Sequence, residues 1–385
     1  MNIEKAIQKY SETVASEFFA MFEKEFAQRI ICALSKGYSQ SLYEPSLVEI
    51  IEKEINSNNG IIRRSKEPYF EIETRAIFIH GNKSQVTFDY YGKRLQRELG
   101  DLIFIISLIF NGRKYFEKIT INQFKKAKMQ KRSISWDMKN KEQLYLLSRF
   151  PPFEGVKGSL IPNREFNLPN YSDCLGSYGM LYEPGDFAFV SAVRLESYLQ
   201  NDNKVNGNDL FVLCEDKGVN YPFVLPYRWE DWWHIYEYFL HSHKHLCSTD
   251  SCICYNMLPF VPLFGNCLFA RNVFDFADKY LHFFIGEPTC AAIGKSNNHA
   301  KDFLYKLLSR LKVKAQQDKK EDAKKISNFV KSFFTYQYLN DEIENGIRTG
   351  TKSDFDGVDR ISKEIESDYD GGGLTIVYTT INLGE

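Results

Sequence analysis

The feature that most constrains this chain is a long apolar stretch followed by a tight-turn dipeptide. Leu102–Phe110 spans nine residues, apolar except for Ser107, and Asn111-Gly112 comes directly after it. The stretch is too short for a membrane helix, which needs roughly 20 residues, and Asn-Gly is strongly favoured in two-residue β-hairpin loops. A second strand candidate, Tyr115–Phe124, follows the turn. The sequence therefore predicts a β-hairpin whose first strand is buried.

Helical and strand patterns flank this hairpin. Apolar residues recur at helical spacing through most of 2–55, and the polar run 56–60 ends that pattern. Two further strand candidates, Phe70–Ile79 and Gln85–Tyr90, precede the hairpin, and a helix is expected over 139–148. The order helix, strands, helix predicts an α+β or α/β fold.

Changes in composition along the chain predict four segments. Residues 1–43 form an N-terminal helical segment, and 44–160 hold the core with the hairpin. Residues 161–298 read as an aromatic-rich mixed domain, with strands expected over Phe187–Val193 and 210–214 and a helix over 229–241. Residues 299–385 carry basic helices, an acidic linker and a strand-like run, LTIVYTTINL.

The overall composition excludes several classes of protein. Hydrophobic residues make up 43% and aromatic residues 15% of the chain, which is typical of a folded globular protein and not of a disordered one. A net charge of -1 provides no global field toward nucleic acid or membrane. The first residues lack a signal-peptide pattern, and eight cysteines at irregular spacings do not resemble a secreted disulfide scaffold. We therefore predict a cytoplasmic protein with reduced thiols and no membrane partner.

Polar side chains collect at the open end of the predicted hairpin. Glu98 and Asp101 precede the first strand, and Gln123 and Lys125 lie at the end of the second. Pairing around Asn111-Gly112 places Asp101 almost opposite Gln123. Carboxylate and amide oxygens suit Mg²⁺ or Mn²⁺, so Asp101, Gln123 and Glu98 form a candidate metal site. Lys125 could orient an attacking water, help to deprotonate it, and stabilise charge in a phosphoryl transition state. The alternative is a surface hairpin with ordinary charged ends.

This D…QxK arrangement resembles the PD-(D/E)XK restriction-endonuclease-like nucleases, and among them the Mrr-type enzymes in which Gln replaces the usual Glu. The resemblance covers about residues 44–150. It assigns Asp101 as the metal-binding Asp, Gln123 as the variable acidic position and Lys125 as the catalytic Lys. The chain departs from the pattern at Leu99-Gly100, where the family carries Pro.

The resemblance implies both a fold and an activity. The fold would be a restriction-endonuclease-like core: a helix, a mixed β-sheet with a central hairpin, and a second helix. The activity would be Mg²⁺- or Mn²⁺-dependent hydrolysis of nucleic acid, with DNA favoured over RNA, as in a bacterial anti-phage defence effector. An accessory Glu on the first helix would be Glu49, Glu52 or Glu54. The alternative function is a catalytically silent sensor or partner-binding protein on a degenerate nuclease fold, acting on a protein partner or as a homo-oligomer.

The segment around the hairpin is strongly basic. Residues 111–132 contain eight basic residues against a single acidic one. Such a patch beside a candidate site suits a phosphate backbone. The predicted backbone contacts are Lys126, Lys128, Lys131 and Arg132.

A second group of candidate ligands lies farther along the chain. It comprises His241, His243, His245, Cys247, Cys252 and Cys254. Imidazole and thiolate ligands suit a tetrahedral Zn²⁺ site, which here would be structural. The spacing matches no standard zinc motif, and the alternative is a polar loop after an aromatic helix.

Overall fold

The structure is a computed structural model that describes residues 3–42, 44–67, 69–80, 84–130, 133–199, 203–207, 210, 266–292, 296–317, 321–339 and 373–384. The helices of these residues are α1 Ile3–Val14, α2 Glu17–Ser39, α3 Glu44–Asn56, α4 Lys141–Arg149, α5 Ala192–Tyr198, α6 Val273–Leu281, α7 Asn298–Gln317 and α8 Glu321–Phe334, with a 3₁₀ turn at Ser57–Asn59. None of these helices is long and apolar enough to cross a membrane.

The strands alternate with these helices along the chain. They are β1 Ile61–Lys66, β2 Tyr69–His80, β3 Gln85–Tyr90, β4 Lys93–Glu98, β5 Leu102–Phe110, β6 Arg113–Lys126, β7 Lys128–Gln130, β8 Ser133–Asp137, β9 Phe153–Gly155, β10 Glu165–Phe166, β11 Gly176–Tyr182, β12 Asp186–Ser191, β13 Lys204–Asn206, β14 Phe269–Ala270, β15 Glu287–Ala291, β16 Gln337–Tyr338 and β17 Gly373–Asn382.

Ten of these strands form one mixed sheet. The order is β1-β2-β17-β5-β6-β11-β12-β14, and β15 and β16 also pair with β6. β17 lies between β2 and β5, antiparallel to the former and parallel to the latter. β11 runs parallel to β6, with Tyr178 beside Gln123. The predicted α+β architecture is confirmed, and its main sheet takes strands from distant parts of the chain.

The predicted hairpin is confirmed and forms the centre of this sheet. β5 and β6 pair antiparallel in the register Leu102 to Asn122, with a bulge between Leu108 and Ile109. Asn111 and Gly112 adopt φ of 50° and 69°, the left-handed region that a type I′ loop requires at both positions. All nine residues of β5 are buried.

Helices cover both faces of the sheet. Alternate residues of β5 belong to separate cores, because side chains point to opposite faces of a strand in turn. Phe104 and Ile106 pack in the core that includes residues of α1, α2, α3 and α6. Ile103 and Ile105 pack in the core that includes residues of α4, α5, α7 and α8. The nearly continuous apolar sequence of β5 follows from burial on both sides.

The other sequence predictions fare unequally. The strands over 70–79 and 85–90, the helix over 139–148 and the strand-like run near the end of the chain all form, within one or two residues of the expected bounds. The strand expected over Phe187–Val193 ends at Ser191, and α5 begins at Ala192. The helix predicted over 229–241 and the strand over 210–214, apart from Leu210, lie outside the described residues.

Candidate functional site

Asp101 and Gln123 meet at the open end of the hairpin, where the sequence predicted them almost opposite each other. The Gln123 side-chain amide Nε2 donates to Asp101 Oδ2 at 2.5 Å, and the Phe124 backbone N–H donates to the same oxygen at 2.8 Å. The Asp101 backbone N–H donates to the Asn122 carbonyl at 2.9 Å. Asp101 is 4% exposed and Gln123 is 6% exposed. The two side chains therefore lie on one face of the sheet, in direct contact and nearly out of solvent.

Gly100 allows this close approach. A Cβ on Gly100 would lie 2.9 Å from the Asn122 carbonyl oxygen and 2.9 Å from Ile121 Cγ2. Neither backbone nor a buried Ile can yield easily, because packed interiors leave little free volume. The glycine that stands where the resembled family has Pro before Asp101 thus lets β5 begin tight against β6.

The environment of Asp101 disfavours its charge. Burial, together with the nearby Glu98 and Glu44 carboxylates, raises the pKa of Asp101 to about 7. The Phe124 N–H and the Lys125 ammonium act in the opposite direction but do not offset the burial. Asp101 is thus a carboxyl group whose ionisation would be favoured by an added positive charge.

Lys125 and Glu44 form an ion pair at the edge of this site. The Lys125 ammonium lies 3.3 Å from Glu44 Oε2, and the Lys126 backbone N–H donates to Glu44 Oε1 at 2.7 Å. Glu44 is the first residue of α3, so the start of this helix lies against the end of β6 in space. Sequence reasoning missed Glu44 because 81 residues separate it from Lys125, and no local pattern marks it.

The three glutamates expected as accessory residues on α3 have other partners. Glu49 pairs with Lys53 and Glu54 pairs with Lys36, while Glu52 accepts from the Asn56 side chain. The carboxylate of α3 that contacts Lys125 is that of Glu44, the first residue of the helix.

Glu98 ends β4 beside this group. The Gln143 side-chain amide of α4 donates to the Glu98 carbonyl at 2.5 Å, which fixes α4 against the site. Burial raises the pKa of Glu98, and Lys125 lowers it. Within the described parts of the chain, Glu44, Glu98 and Asp101 do not form a group in which one carboxylate oxygen of each lies within 4.8 Å of the others.

Tyr178 adds a polar group that the sequence did not point to. It neighbours Gln123 in the β11–β6 register and is 1% exposed. Its hydroxyl is buried without a hydrogen-bond partner among the described residues. Burial raises the pKa of Tyr178 above its ordinary value, and the Asp101 carboxylate raises it further. A buried hydroxyl near Asp101 without a partner marks a place where a ligand or water could bind.

The basic residues predicted to contact phosphates are only partly described. Lys126 donates to the Leu42 carbonyl at 3.1 Å and lies 4.6 Å from the centre of the Tyr38 ring, so it packs against α2. Lys128 is 66% exposed and pairs with Asp137 at 3.3 Å. Lys131 and Arg132 lie outside the described residues.

The predicted zinc ligands from His241 to Cys254 lie outside the described residues as well. Among the residues that are described, one different group could gather around a metal ion: Glu23 on α2 with Asp278 on α6 and His282 just after it. The His282 ring nitrogen Nδ1 already interacts with the Asp278 backbone carbonyl at 2.8 Å and with its carboxylate at 3.1 Å. This group shares no residue with the site around Asp101.

Comparisons of the chain with protein-family models, with curated proteins and with solved structures found no match.

Proposed function

We propose that this chain is a metal-dependent nuclease that hydrolyses phosphodiester bonds of nucleic acid, with DNA favoured over RNA. The observation that carries the proposal is the contact between Asp101 and Gln123, with Lys125 two residues farther along β6. Residues two apart on a strand share a face. A carboxylate, an amide and an ammonium group therefore converge at one end of a buried hairpin.

The donor set fits a divalent cation such as Mg²⁺ or Mn²⁺. Both hydrogen bonds that Asp101 accepts end on Oδ2, and Oδ1 accepts none from the described residues. The Gln123 amide would present its oxygen to a cation after a half-turn about its last torsion, since amide nitrogen and oxygen occupy similar positions. Asp101 and Gln123 would hold the ion directly, and Glu98 would do so through water, because Mg²⁺ commonly keeps several waters. When bound, the ion would make hydroxide available near neutral pH and polarise the phosphate.

The other side chains have distinct roles in this proposal. Lys125 would position the attacking water and stabilise the charge that develops on the phosphate oxygens. Glu44 holds the Lys125 ammonium in place and would act as a positioning residue. The buried Tyr178 hydroxyl would donate to a water or to a phosphate oxygen beside Asp101. Lys128, together with Lys131 and Arg132, would contact the nucleic-acid backbone.

The order of elements supports a restriction-endonuclease-like core. α3 precedes the sheet, the β5–β6 hairpin lies at its centre, and α4 and the parallel strand β11 follow. Residues of α3 and α4 pack in the two separate cores, on opposite faces of the sheet. A role in anti-phage defence would extend the same resemblance.

The test is cleavage of plasmid DNA, single-stranded DNA and RNA with Mg²⁺ or Mn²⁺. We expect Asp101→Asn and Lys125→Met each to lower the rate about 100-fold or more, the usual effect of removing a group that assists proton transfer or the transition state. Glu44→Gln should lower it less, since Lys125 remains. Glu49→Gln, on the same helix but paired with Lys53, is the matched control and should cleave normally. Cleavage that survives in both Asp101→Asn and Lys125→Met would refute the proposed site.

A partner-binding protein is the second candidate, and the closed state of the site favours it. Asp101 and Gln123 are nearly fully buried and Lys125 is held by Glu44. If the purified chain does not cleave, the same variants should be tested for phage protection in cells, where any activator is present. Protection lost in Asp101→Asn but retained in Glu49→Gln supports a gated nuclease; protection unchanged in Asp101→Asn supports the binding protein.

A further inference from the structure

Three tyrosine rings form a cluster at the tip of the β3–β4 hairpin, with Tyr91 exposed and Tyr90 and Tyr145 partly buried against the core. The ring centroids of Tyr90 and Tyr91 lie 4.8 Å apart, those of Tyr90 and Tyr145 5.1 Å, and those of Tyr91 and Tyr145 5.4 Å. Tyr91 is 78% exposed, more than any other large hydrophobic side chain of the described residues. Tyr145 lies on α4, so two elements build the cluster together.

The turn that presents Tyr91 would be more stable with a different residue. Tyr90 pairs with Lys93, so the loop is the dipeptide Tyr91-Gly92, with φ of 49° and 79°. A type I′ loop of this kind favours Asn-Gly, because bulky side chains avoid the left-handed region. Because the Tyr91 side chain is exposed, its burial contributes little free energy to offset the cost of this left-handed backbone. Strain of this kind at an exposed residue is a reason to look for a binding role.

The cluster is connected to the site around Asp101 by two elements. β4 leads from Lys93 at the tip to Glu98 at the site, a distance of roughly 17 Å at about 3.3 Å per residue. On α4, Gln143 donates to the Glu98 carbonyl, and Tyr145 follows two residues later. At about 3.4 Å per stacked base, this separation is on the order of five nucleotides. One short strand of nucleic acid could therefore contact both places.

The acidic side chains around the rings are paired with arginines, so the ring faces offer the main contact. Burial raises the pKa of Tyr90, and the Glu142 and Glu196 carboxylates raise it further. Glu142 pairs with Arg97 at 3.8 Å, and Glu196 pairs with Arg149 at 2.8 Å. Arg94, near the tip, donates to Glu154. The faces of aromatic rings stack on bases of any sequence. Stacking of this kind needs bases whose faces are free, as in single strands or unpaired segments.

We propose that Tyr90, Tyr91 and Tyr145 form a stacking platform for unpaired bases, so that the substrate is single-stranded or locally unpaired nucleic acid. This inference rests on the proposed nuclease function. The rings would hold the strand at the tip of the hairpin while the phosphodiester bond to be cut lies at Asp101, roughly five nucleotides away.

The test is fluorescence anisotropy with a labelled 20-nucleotide oligothymidine and a labelled duplex, in EDTA so that no cleavage occurs. Wild type should bind the single strand more tightly than the duplex. Tyr91→Asn restores the preferred Asn-Gly loop, so its melting temperature should stay equal or rise. Its affinity for the oligothymidine should nevertheless fall about 5- to 100-fold, the range for loss of one base–aromatic stack. Tyr145→Leu should show a similar loss, and Tyr305→Gln, at a 47% exposed Tyr on α7, should show none.

The outcomes separate this inference from the proposed function. Equal affinity of wild type for single strand and duplex, or unchanged single-strand affinity in Tyr91→Asn and Tyr145→Leu, overturns the platform even if cleavage depends on Asp101. Weaker binding in both tyrosine variants supports the platform. If cleavage then proves independent of Asp101, the chemistry fails and the binding surface remains.

Discussion

At the scale of single residues, Asp101 is a carboxyl group in an environment that disfavours its ionised form. It is buried, both of its hydrogen bonds reach one oxygen, and the nearest ammonium, Lys125, is already paired with Glu44. The surrounding residues supply only part of the positive charge that would favour ionisation of this carboxyl group. A divalent cation would provide that charge.

The pH dependence of stability tests this view of Asp101. Its folded-state pKa of about 7 exceeds the value of 3.8 expected for the unfolded chain. The neutral carboxyl therefore contributes stability at low pH that is lost as the pH rises from about 4 to about 7, at up to about 1.4 kcal/mol per pH unit. Asp101→Asn cannot ionise, so its melting temperature should rise relative to wild type between pH 5 and pH 8. The comparison is made by thermal unfolding.

Asp89→Asn is the control for this prediction. Asp89 is exposed and accepts from the Gly92 backbone N–H at 2.9 Å, a contact that Asn can keep. Its difference from wild type should not grow over the same pH range. Parallel curves for wild type and Asp101→Asn would show that Asp101 does not titrate near neutrality. Added Mg²⁺ should stabilise wild type at pH 8 and leave Asp101→Asn unaffected.

At the scale of elements, two glycines at the β5–β6 hairpin have different structural roles. Gly112 gives the turn its left-handed backbone, and a Cβ there would meet nothing within 4 Å. Gly100 does not have a positive φ, but a Cβ at this position would clash with β6. Gly112 permits the turn that closes the hairpin, and Gly100 permits the close contact between Asp101 and Gln123.

Alanine at these two glycines should separate stability from activity. Gly112→Ala should cost about 1 kcal/mol of unfolding free energy through backbone strain, without slowing the proposed cleavage by the folded protein. Gly100→Ala should push β5 away from Asn122 and Ile121, and so lower cleavage at least about tenfold through misplacement of Asp101. Urea unfolding and cleavage rates of the two variants are the measurements. Equal cleavage by both variants would contradict a positioning role for Gly100.

At the scale of the whole molecule, one buried polar cluster joins strands from distant parts of the chain. Glu117 of β6 accepts from Lys114 at 2.7 Å and from Ser107 of β5 at 2.8 Å. Its second oxygen accepts from Thr289 of β15 at 2.8 Å and from Tyr338 of β16 at 2.6 Å. Burial by itself raises the pKa of Glu117, but Lys114 and these hydrogen bonds outweigh it and hold the pKa below its ordinary value.

Lys114 is enclosed by rings on the other side of this pair. Its ammonium lies 3.4 Å from the centroid of Phe333 on α8, 4.7 Å from that of Tyr338 and 5.6 Å from that of Tyr378 on β17. Both charged side chains are at most 1% exposed. The pair therefore connects β5, β6, β15, β16, β17 and α8 at one point of the fold.

Removing one member of this pair should cost more than removing both. Glu117→Gln leaves the Lys114 ammonium without its counter-charge, and we expect a loss of about 3 kcal/mol or more of unfolding free energy. The double variant Lys114→Met with Glu117→Gln removes the uncompensated charge and should recover part of that loss. Guanidinium unfolding measures both. A double variant no more stable than the single one would mean that packing, not charge, sets the cost.

Much of the site was accessible from the sequence because it depends on local pairing. An Asn-Gly loop sets the register of its own hairpin near the turn, where Phe110 pairs with Arg113, and that register would place Asp101 opposite Asn122, one residue from Gln123. The bulge between Leu108 and Ile109 adds one residue to β6 and shifts the pairing by one, so that Leu102 pairs with Asn122 and Asp101 comes opposite Gln123. The strand β4 was missed, since its sequence KRLQRE has no apolar alternation to mark it. The sequence did not predict the tyrosine cluster, because its residues come from two elements that only the tertiary structure brings together.

Local sequence determined many of the helices and strands, the central hairpin, and the approximate position of Asp101, Gln123 and Lys125 at its open end, because turn chemistry and side-chain periodicity act over a few residues. The tertiary structure alone decided that β17 lies between β2 and β5, that Glu44 pairs with Lys125, and that Tyr178 lies beside Gln123. It also decided that burial raises the pKa of Asp101. These features depend on contacts between residues far apart in the chain, and on the exclusion of water from the space they enclose.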